Sequence, residues 1–567
     1  MESFRDSPLG QIIRFLTSNK YLQYPEEEPG FVVPIVEPEA SEKVHDDRLS
    51  GQSSTNGSNS GRRRDAVSAQ PDDATLDLEK FPSDDALDSR LSGTSGKHGS
   101  SERNHSQSLS RHMTIDGNII VDWYGPNDPE NPQNWVLSKK ISVTLVLQAY
   151  TLVVYCASAI YTPSNQYVME DFDVSLIKAS LGLSMYVLGY GFGPILFSPL
   201  SEIPRIGRNI PYITSFTLFV ILAVPTALTP TYGSLLALRF LTGFLGSPCL
   251  ATGGATLQEM YSIIKLPYAL SAWVGATFSA PALGPLLSGF AVPAKGWRWS
   301  LWEILWMSAP VLILMYMAFP ETSAANILLR RAQRLRKLTG NDKYKSQSEL
   351  DQANLSAGKL VTEALIKPVQ IVSQILLCSL STYTQPISTG FLQLLRILPT
   401  SVHRDLWLQP GYIYWYLEPD IKKNGFRAQE HRLVPAIFAA VLQPAGLFIF
   451  AWTSREDVHW MAGIVGLTLY GVGSFILFQC IFMYLPLSYP QYAASLFAAN
   501  DLCRSCLAAG AIIFAQPLFD NLGIDKGVTL LAGLACGGVV GIWAICLDFV
   551  FNLLILLLDY LYLITKA

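Results

Sequence analysis

Charge is scarce in this chain of 567 residues: Asp, Glu, Lys and Arg make up 15% of it, against about a quarter in ordinary soluble domains, and the mean hydropathy is +0.27. That composition excludes an ordinary soluble enzyme. A glycine-rich phosphate loop ending in Lys-Ser/Thr is also missing, which argues against ATP-driven chemistry. Cysteine is sparse, and all eight (Cys156, Cys249, Cys378, Cys480, Cys503, Cys506, Cys536, Cys546) sit in apolar runs, where the expected role is a small core residue. Cys503 and Cys506 have redox-motif spacing but no metal partners around them. A secretory signal is lacking too, because Arg14, Asn19 and Lys20 interrupt the first apolar stretch and no small-residue cleavage site follows. No cofactor, metal, catalytic group or nucleic-acid partner is expected.

What the chain has is apolar length. Residues 1–138 carry 13 Lys+Arg against 23 Asp+Glu, whereas residues 139–567 carry 28 against 22 and are only about 12% charged. A membrane crossing needs roughly 20 apolar residues, so the second part has room for about a dozen, and barrels built from weakly alternating strands are excluded. Apolar runs bounded by turns or charge fall at 141–162, 176–198, 210–228, 233–256, 268–290 and 300–319, then at 433–452, 459–481, 491–515 and 527–547. A basic stretch separates the two sets. Arg205 and Arg208, Lys265 and the 330–367 cluster lie in alternate loops, while Glu170, Asp171 and Asp173 mark the loop between the first two spans; the positive-inside bias then places the N-terminus in the cytosol. Six spans, a basic linker and more spans give an all-α membrane protein of two halves.

The expected parts are a cytosolic tail over 1–138, a six-helix half over 139–320, a linker over 321–370 and a second half over 371–567. Residues 41–111 are Ser-, Gly-, Asp- and Asn-rich with almost no aromatic side chain, so they are expected to be disordered. Residues 8–22 space their apolar positions as a helix would. That helix would either lie on the inner leaflet or pack on the protein's own cytosolic face.

Four segments carry the chemistry. Arg239 lies inside the fourth span among Gly243, Gly246, Gly253 and Gly254; a guanidinium there needs an anionic or carbonyl partner and would tune a nearby carboxylate. After the second span, Gly193 and then Glu202, Arg205, Gly207 and Arg208 suggest a charge relay that locks and releases two helices. Gly275, Pro281, Gly284, Pro285 and Gly289 would bend the fifth span and let it pack closely. Asn500, Asp501 and Arg504 lie within about a turn of one another, where the last two either neutralise each other or serve function.

These segments, with the string DWYGPNDPENPQNW before the first span, resemble the fungal major facilitator drug:proton antiporters of twelve spans, closest to the fluconazole/benomyl resistance branch. GFGPILFSPLSEIPRIGR is similar to the family's loop two-three motif, Arg239 with Gly243 to its proton-coupling motif in span four, and Gly275 to Gly289 to its antiporter motif. The resemblance implies the major facilitator fold of two six-helix halves, and a monomer in the plasma membrane that exports drugs or secondary metabolites against entering protons. Arg239 and Asp501 would couple the proton. Tyr155, Tyr186, Phe278 and Asn500 are the candidate cavity residues, and membrane lipid, protons and a small molecule are the partners. An uptake facilitator for a sugar or polyamine, and a non-transporting sensor, are the alternatives.

Spans seven and eight break the pattern. Arg396, His403, Arg404 and Asp405 fall where a crossing should begin, and LWLQPGYIYWYLE is too short to cross. One explanation is a shifted reading frame with lost residues over 371–418; the other is a divergent paralogue. After Cys546 the chain stays apolar where the family usually ends in a short basic tail.

Overall fold

The computed structural model describes residues 2–28, 31, 117–353 and 434–566, apart from 263, 456 and 489–492. The segment expected to be disordered (41–111) and the irregular seventh and eighth spans (371–418) lie outside the described residues.

Apolar runs with polar ends become helices, and short hydroxyl side chains cap the starts of two of the spans. Ser175 and Thr231 each accept a hydrogen bond from a backbone N–H three residues on, meeting the need of helix starts for side-chain acceptors. After α1 (Pro8–Leu16) and a three-residue strand β1 (Ile119–Val121) come the spans. These are α2 (Leu137–Ala159), α3 (Leu176–Glu202), α4 (Asn209–Ala227), the pair α5 (Tyr232–Gly246) and α6 (Pro248–Met260) forming one crossing, α7 (Leu266–Lys295) and α8 (Arg298–Ala318). The linker holds α9 (Ala324–Thr339) and β2 (Tyr344–Ser346); beyond it lie α10 (Val434–Thr453), α11 (Trp460–Ser488) and α12 (Ala493–Lys566). Among the described residues, nine helices are long and apolar enough to cross a membrane.

The third and fourth apolar runs of the second half, expected as separate crossings, form one helical stretch bent at Gly523, where φ 77° and ψ 168° leave helical geometry. The limb beyond the bend runs to Lys566 and reaches about 65 Å at 1.5 Å per residue. One apolar core joins both halves: Tyr150, Phe216 and Trp273 from before the linker pack in the same cluster as Phe478, Phe482 and Phe497 from after it. Cys156, Cys249 and Cys480 are buried as expected, but Cys506 and Cys536 are exposed. Their apolar surroundings belong to an outward helix face, which sequence cannot distinguish from core.

The N-terminal segment is not all tail. β1 pairs in parallel with β2, Asp122, Trp123, Tyr124, Asp128 and Glu130 meet arginines of α9, and the turn at Pro132–Asn134 packs on α6. Arg331, 1% exposed, reaches Asp128 at 2.7 Å, Glu130 at 3.0 Å and Glu26 at 3.4 Å; Arg334 takes Glu26 at 3.1 Å and Glu130 at 3.0 Å. The two guanidinium groups also lie over the rings of Tyr124 and Tyr24, at 4.1 and 3.9 Å from the centroids. Burial pushes the Asp128 carboxyl up, but the hydrogen bonds and charge of Arg331, with two backbone N–H groups, hold it below the usual range. Burial prevails at Glu130 and raises it despite Arg334 and Arg331.

Removing one partner of a buried ion pair costs about 3–5 kcal/mol. Arg331→Met is therefore expected to loosen residues 122–130 on α9 while the spans stay folded. Hydrogen exchange checks this, and unchanged protection of the 122–130 peptides would refute it.

Candidate functional site

Arg239 stands two turns into α5 and is 1% exposed. Its guanidinium donates to three backbone carbonyls on two neighbouring helices: Gly182 on α3 at 3.2 Å, and Ala157 and Ser158 on α2 at 3.0 and 3.2 Å. The rings of Tyr186 and Tyr161 face it at 4.6 and 4.9 Å, a desolvated cation–π geometry. Of the two kinds of partner expected, anionic or carbonyl, the carbonyls are found; among the described residues no carboxylate pairs with Arg239. The carbonyls can approach because the helices cross at small residues. A Cβ on Gly243 would strike the Tyr186 carbonyl oxygen, one on Gly189 the Phe240 carbonyl oxygen, and one on Gly193 the Phe244 carbonyl oxygen and Ser247 Oγ.

From Arg239 an aromatic path leads to the second half. Tyr186, whose hydroxyl donates to the Val154 carbonyl at 2.9 Å, packs against Tyr190 at 6.1 Å, and Tyr190 against Tyr155 at 5.9 Å. The Tyr155 hydroxyl accepts from Arg504 of α12 at 2.9 Å. Arg504 pairs with Asp501 one turn away on the same helix and lies 5.2 Å from the Phe478 ring centre, against which Phe278 of α7 stands edge-on at 5.6 Å. Asp501 Oδ2 and Arg504 Nε are buried without a hydrogen-bond partner among the described residues. The expected residues Tyr155, Tyr186, Phe278, Asp501 and Arg239 thus join one packed cluster spanning both halves. Asn500, also buried, adjoins Asp501 in the chain. Tyr190 and Phe478 complete the cluster, and the sequence reading missed them because each is one aromatic among many in its run.

At the α9 end of the bundle, Gly207 turns the chain with φ +73°, a conformation that side-chain-bearing residues rarely adopt. Arg208 follows, and its guanidinium grips Glu259 at the end of α6 in a two-pronged pair at 2.8 and 2.9 Å. The expected partner was Glu202. Glu202, the last residue of α3, attracts Arg208 less strongly than the Glu259 carboxylate that α6 brings into hydrogen-bond contact. Arg205 is exposed. A second unforeseen carboxylate, Glu321, accepts the backbone N–H groups of Arg208 and Asn209 at 3.0 and 3.2 Å and those of Thr322 and Ser323 at 3.1 and 2.9 Å. The FPET string that ends α8 thus fastens the loop between α3 and α4.

Residues 149–409 match the sequence profile of the Major Facilitator Superfamily. The chain is 41% identical over 457 residues to the MFS-type transporter pyvG of Aspergillus violaceofuscus, covering 76% of this chain and 84% of the relative. The chain belongs to the major facilitator superfamily. It is also 36% identical to fluconazole resistance protein 1 of Saccharomyces cerevisiae, over 71% of this chain and 77% of that one. Among solved structures, the proton:xylose symporter XylE of E. coli shares the fold, with a TM-score of 0.50 at 15% identity, covering 72% of this chain and 96% of the symporter.

Within this superfamily member, the fifth span α7 packs on α2 in its own half and on α11 of the other. It stays one continuous helix through Pro281, Pro285 and Pro293. Gly284 makes the close approach: a Cβ there would come within 2.9 Å of the Cys156 carbonyl oxygen. Gly275 is buried. A Cβ on Gly289 would meet nothing within 4 Å, so the packing role expected of it is not found: the buried face of that turn is carried by Ser288 and Val292. Glu303 of α8 was missed altogether. One of its oxygens is buried without a hydrogen-bond partner among the described residues, and the sequence reading passed over it as part of an apolar run.

Proposed function

We propose that this transporter exports drugs and other small amphipathic compounds, of outside origin or the cell's own secondary metabolites, in exchange for protons entering across the plasma membrane. The reading rests on kinship with a fluconazole resistance protein and on one observation: a buried carboxylate with an unpaired oxygen, Asp501, lies in an aromatic cluster shared by both halves. A guanidinium stays charged at all working pH values, so Arg239 and Arg504 hold geometry and field while Asp501 takes and gives the proton. Tyr155, Tyr190, Phe278 and Phe478 offer flat apolar surface to a bulky, weakly polar cargo. Rocking of the halves exposes the cluster to each side in turn. The Arg208–Glu259 pair and Glu321 fasten the cytosolic ends, on the side where the N-terminus lies, and the molecule works as a monomer among membrane lipids.

The test is export of a fluorescent dye from energised vesicles under an imposed proton gradient, with Arg239→Lys alongside. Lysine keeps the charge but cannot fork to carbonyls on two helices. Losing one charge-assisted hydrogen bond, worth about 1.5–3 kcal/mol, predicts export lower by on the order of tenfold or more. Wild-type protein that moves no dye refutes the reading. Unchanged, pH-dependent export by Arg239→Lys refutes the role given to Arg239.

A further inference from the structure

Helix α1 faces the wrong way for a helix in water. Its inward side carries Gly10 and Arg14: the guanidinium donates to the Leu22 carbonyl and to Glu27 at 2.9 Å, and rests over the Tyr24 ring. Its outward side carries Ile12, Phe15 and Leu16, three and four residues apart and so on one face, with Phe15 83% and Leu16 74% exposed. The helix is amphipathic, yet its charged face is the one turned to protein.

Its position explains the inversion. α1 packs on α8, and Asp6 just before it bridges to Lys139 of α2 at 3.1 Å. At that end both spans show apolar side chains outward: Leu137, Ile141 and Leu145 on α2, and Leu314 and Met317 on α8. These belong to the lipid-facing surface of a membrane-spanning bundle, and the outward face of α1 continues it. Tyr21, exposed just beyond the helix, is the residue type that settles at a membrane–water boundary. The chain after α1 is held independently, by the Glu26–Arg334 pair.

We infer that α1 is an in-plane membrane anchor, with Ile12, Phe15 and Leu16 inserted among lipid acyl chains at the boundary of the leaflet on the α9 side. The partner is lipid, not another protein or a further part of this chain, and the inference does not depend on what is transported.

The experiment places the photoreactive residue benzoylphenylalanine at position 15, 16 or 11 of the full chain in nanodiscs of phosphatidylcholine and phosphatidylserine, followed by irradiation and mass analysis. Lipid adducts at 15 and 16 and none at Gln11, which bonds inward to the Arg5 carbonyl and Tyr24, are expected. Adducts at 15 and 16 only to this chain's own residues 34–116 or to a second protein, or no lipid adducts at all, would overturn the assignment. A spin label on Phe15→Cys gives a second readout that needs no unnatural residue: greater accessibility to oxygen than to a water-soluble nickel complex supports insertion, and the reverse overturns it.

Discussion

Asp501→Asn is expected to abolish proton-driven export and also to lower thermal stability, and the two losses separate in a second variant. Asparagine has nearly the shape of aspartate but no charge to cycle. It leaves Arg504, whose other contacts are the Tyr155 hydroxyl and the Phe478 ring, as a buried charge without its counter-charge, at a cost of about 3–5 kcal/mol. Adding Arg504→Met removes the orphan. Apolar replacement of a whole buried pair is often neutral or stabilising by about 1–4 kcal/mol, so the double variant should regain the thermal midpoint of the parent in detergent. Transport should not return, since neither variant carries a titrating group at this point. A double variant that pumps dye against a gradient at the parental rate would remove Asp501 from the mechanism, whatever its stability.

Gly243→Leu is expected to yield no folded protein, whereas Gly289→Leu should be tolerated. Where α3 and α5 cross, backbone touches backbone at Gly189, Gly193 and Gly243, so a new side chain has no flexible neighbour to displace. Overpacking costs about 1–3 kcal/mol where side chains can adjust, and more here. The atom first struck is the carbonyl oxygen of Tyr186, the residue whose ring faces Arg239. Separating the helices would therefore also draw the guanidinium from the Gly182 carbonyl across the crossing. At Gly289 a Cβ meets nothing within 4 Å. Size-exclusion profiles of fluorescent fusions compare the two: a sharp, full-yield peak for Gly243→Leu would show that the crossing is looser than described.

Much of this was legible because it is local. The six spans before the linker follow from uninterrupted apolar runs, the burial of Arg239 from a charge set among glycines, and the Asp501–Arg504 pair from a three-residue spacing on one helix. What escaped is what the chain brings together from afar. Glu259 and Glu321 sit at span ends, where a carboxylate looks like punctuation, yet they hold Arg208 from 51 and 113 residues away. The basic residues of the linker were read as setting orientation, and DWYGPNDPENPQNW as a family signature. Nothing in one dimension says that Arg331 and Asp128, 203 positions apart, are partners. The outward side of α12 illustrates a different limit: lipid-facing and core-facing helix surfaces have the same composition, so Cys506 and Cys536 could not be placed.

The small cluster beside α9 has a topological consequence. Phe31 packs against the same group, Ile119, Val121, Ala332, Leu335 and Tyr344, that anchors β1. Phe31 and Ile119, 88 positions apart in the chain, therefore meet in one cluster. A backbone cut between these two positions should leave two polypeptides that travel together, the shorter one still clasped through Glu26. A reporter domain inserted between them should leave the bundle undisturbed.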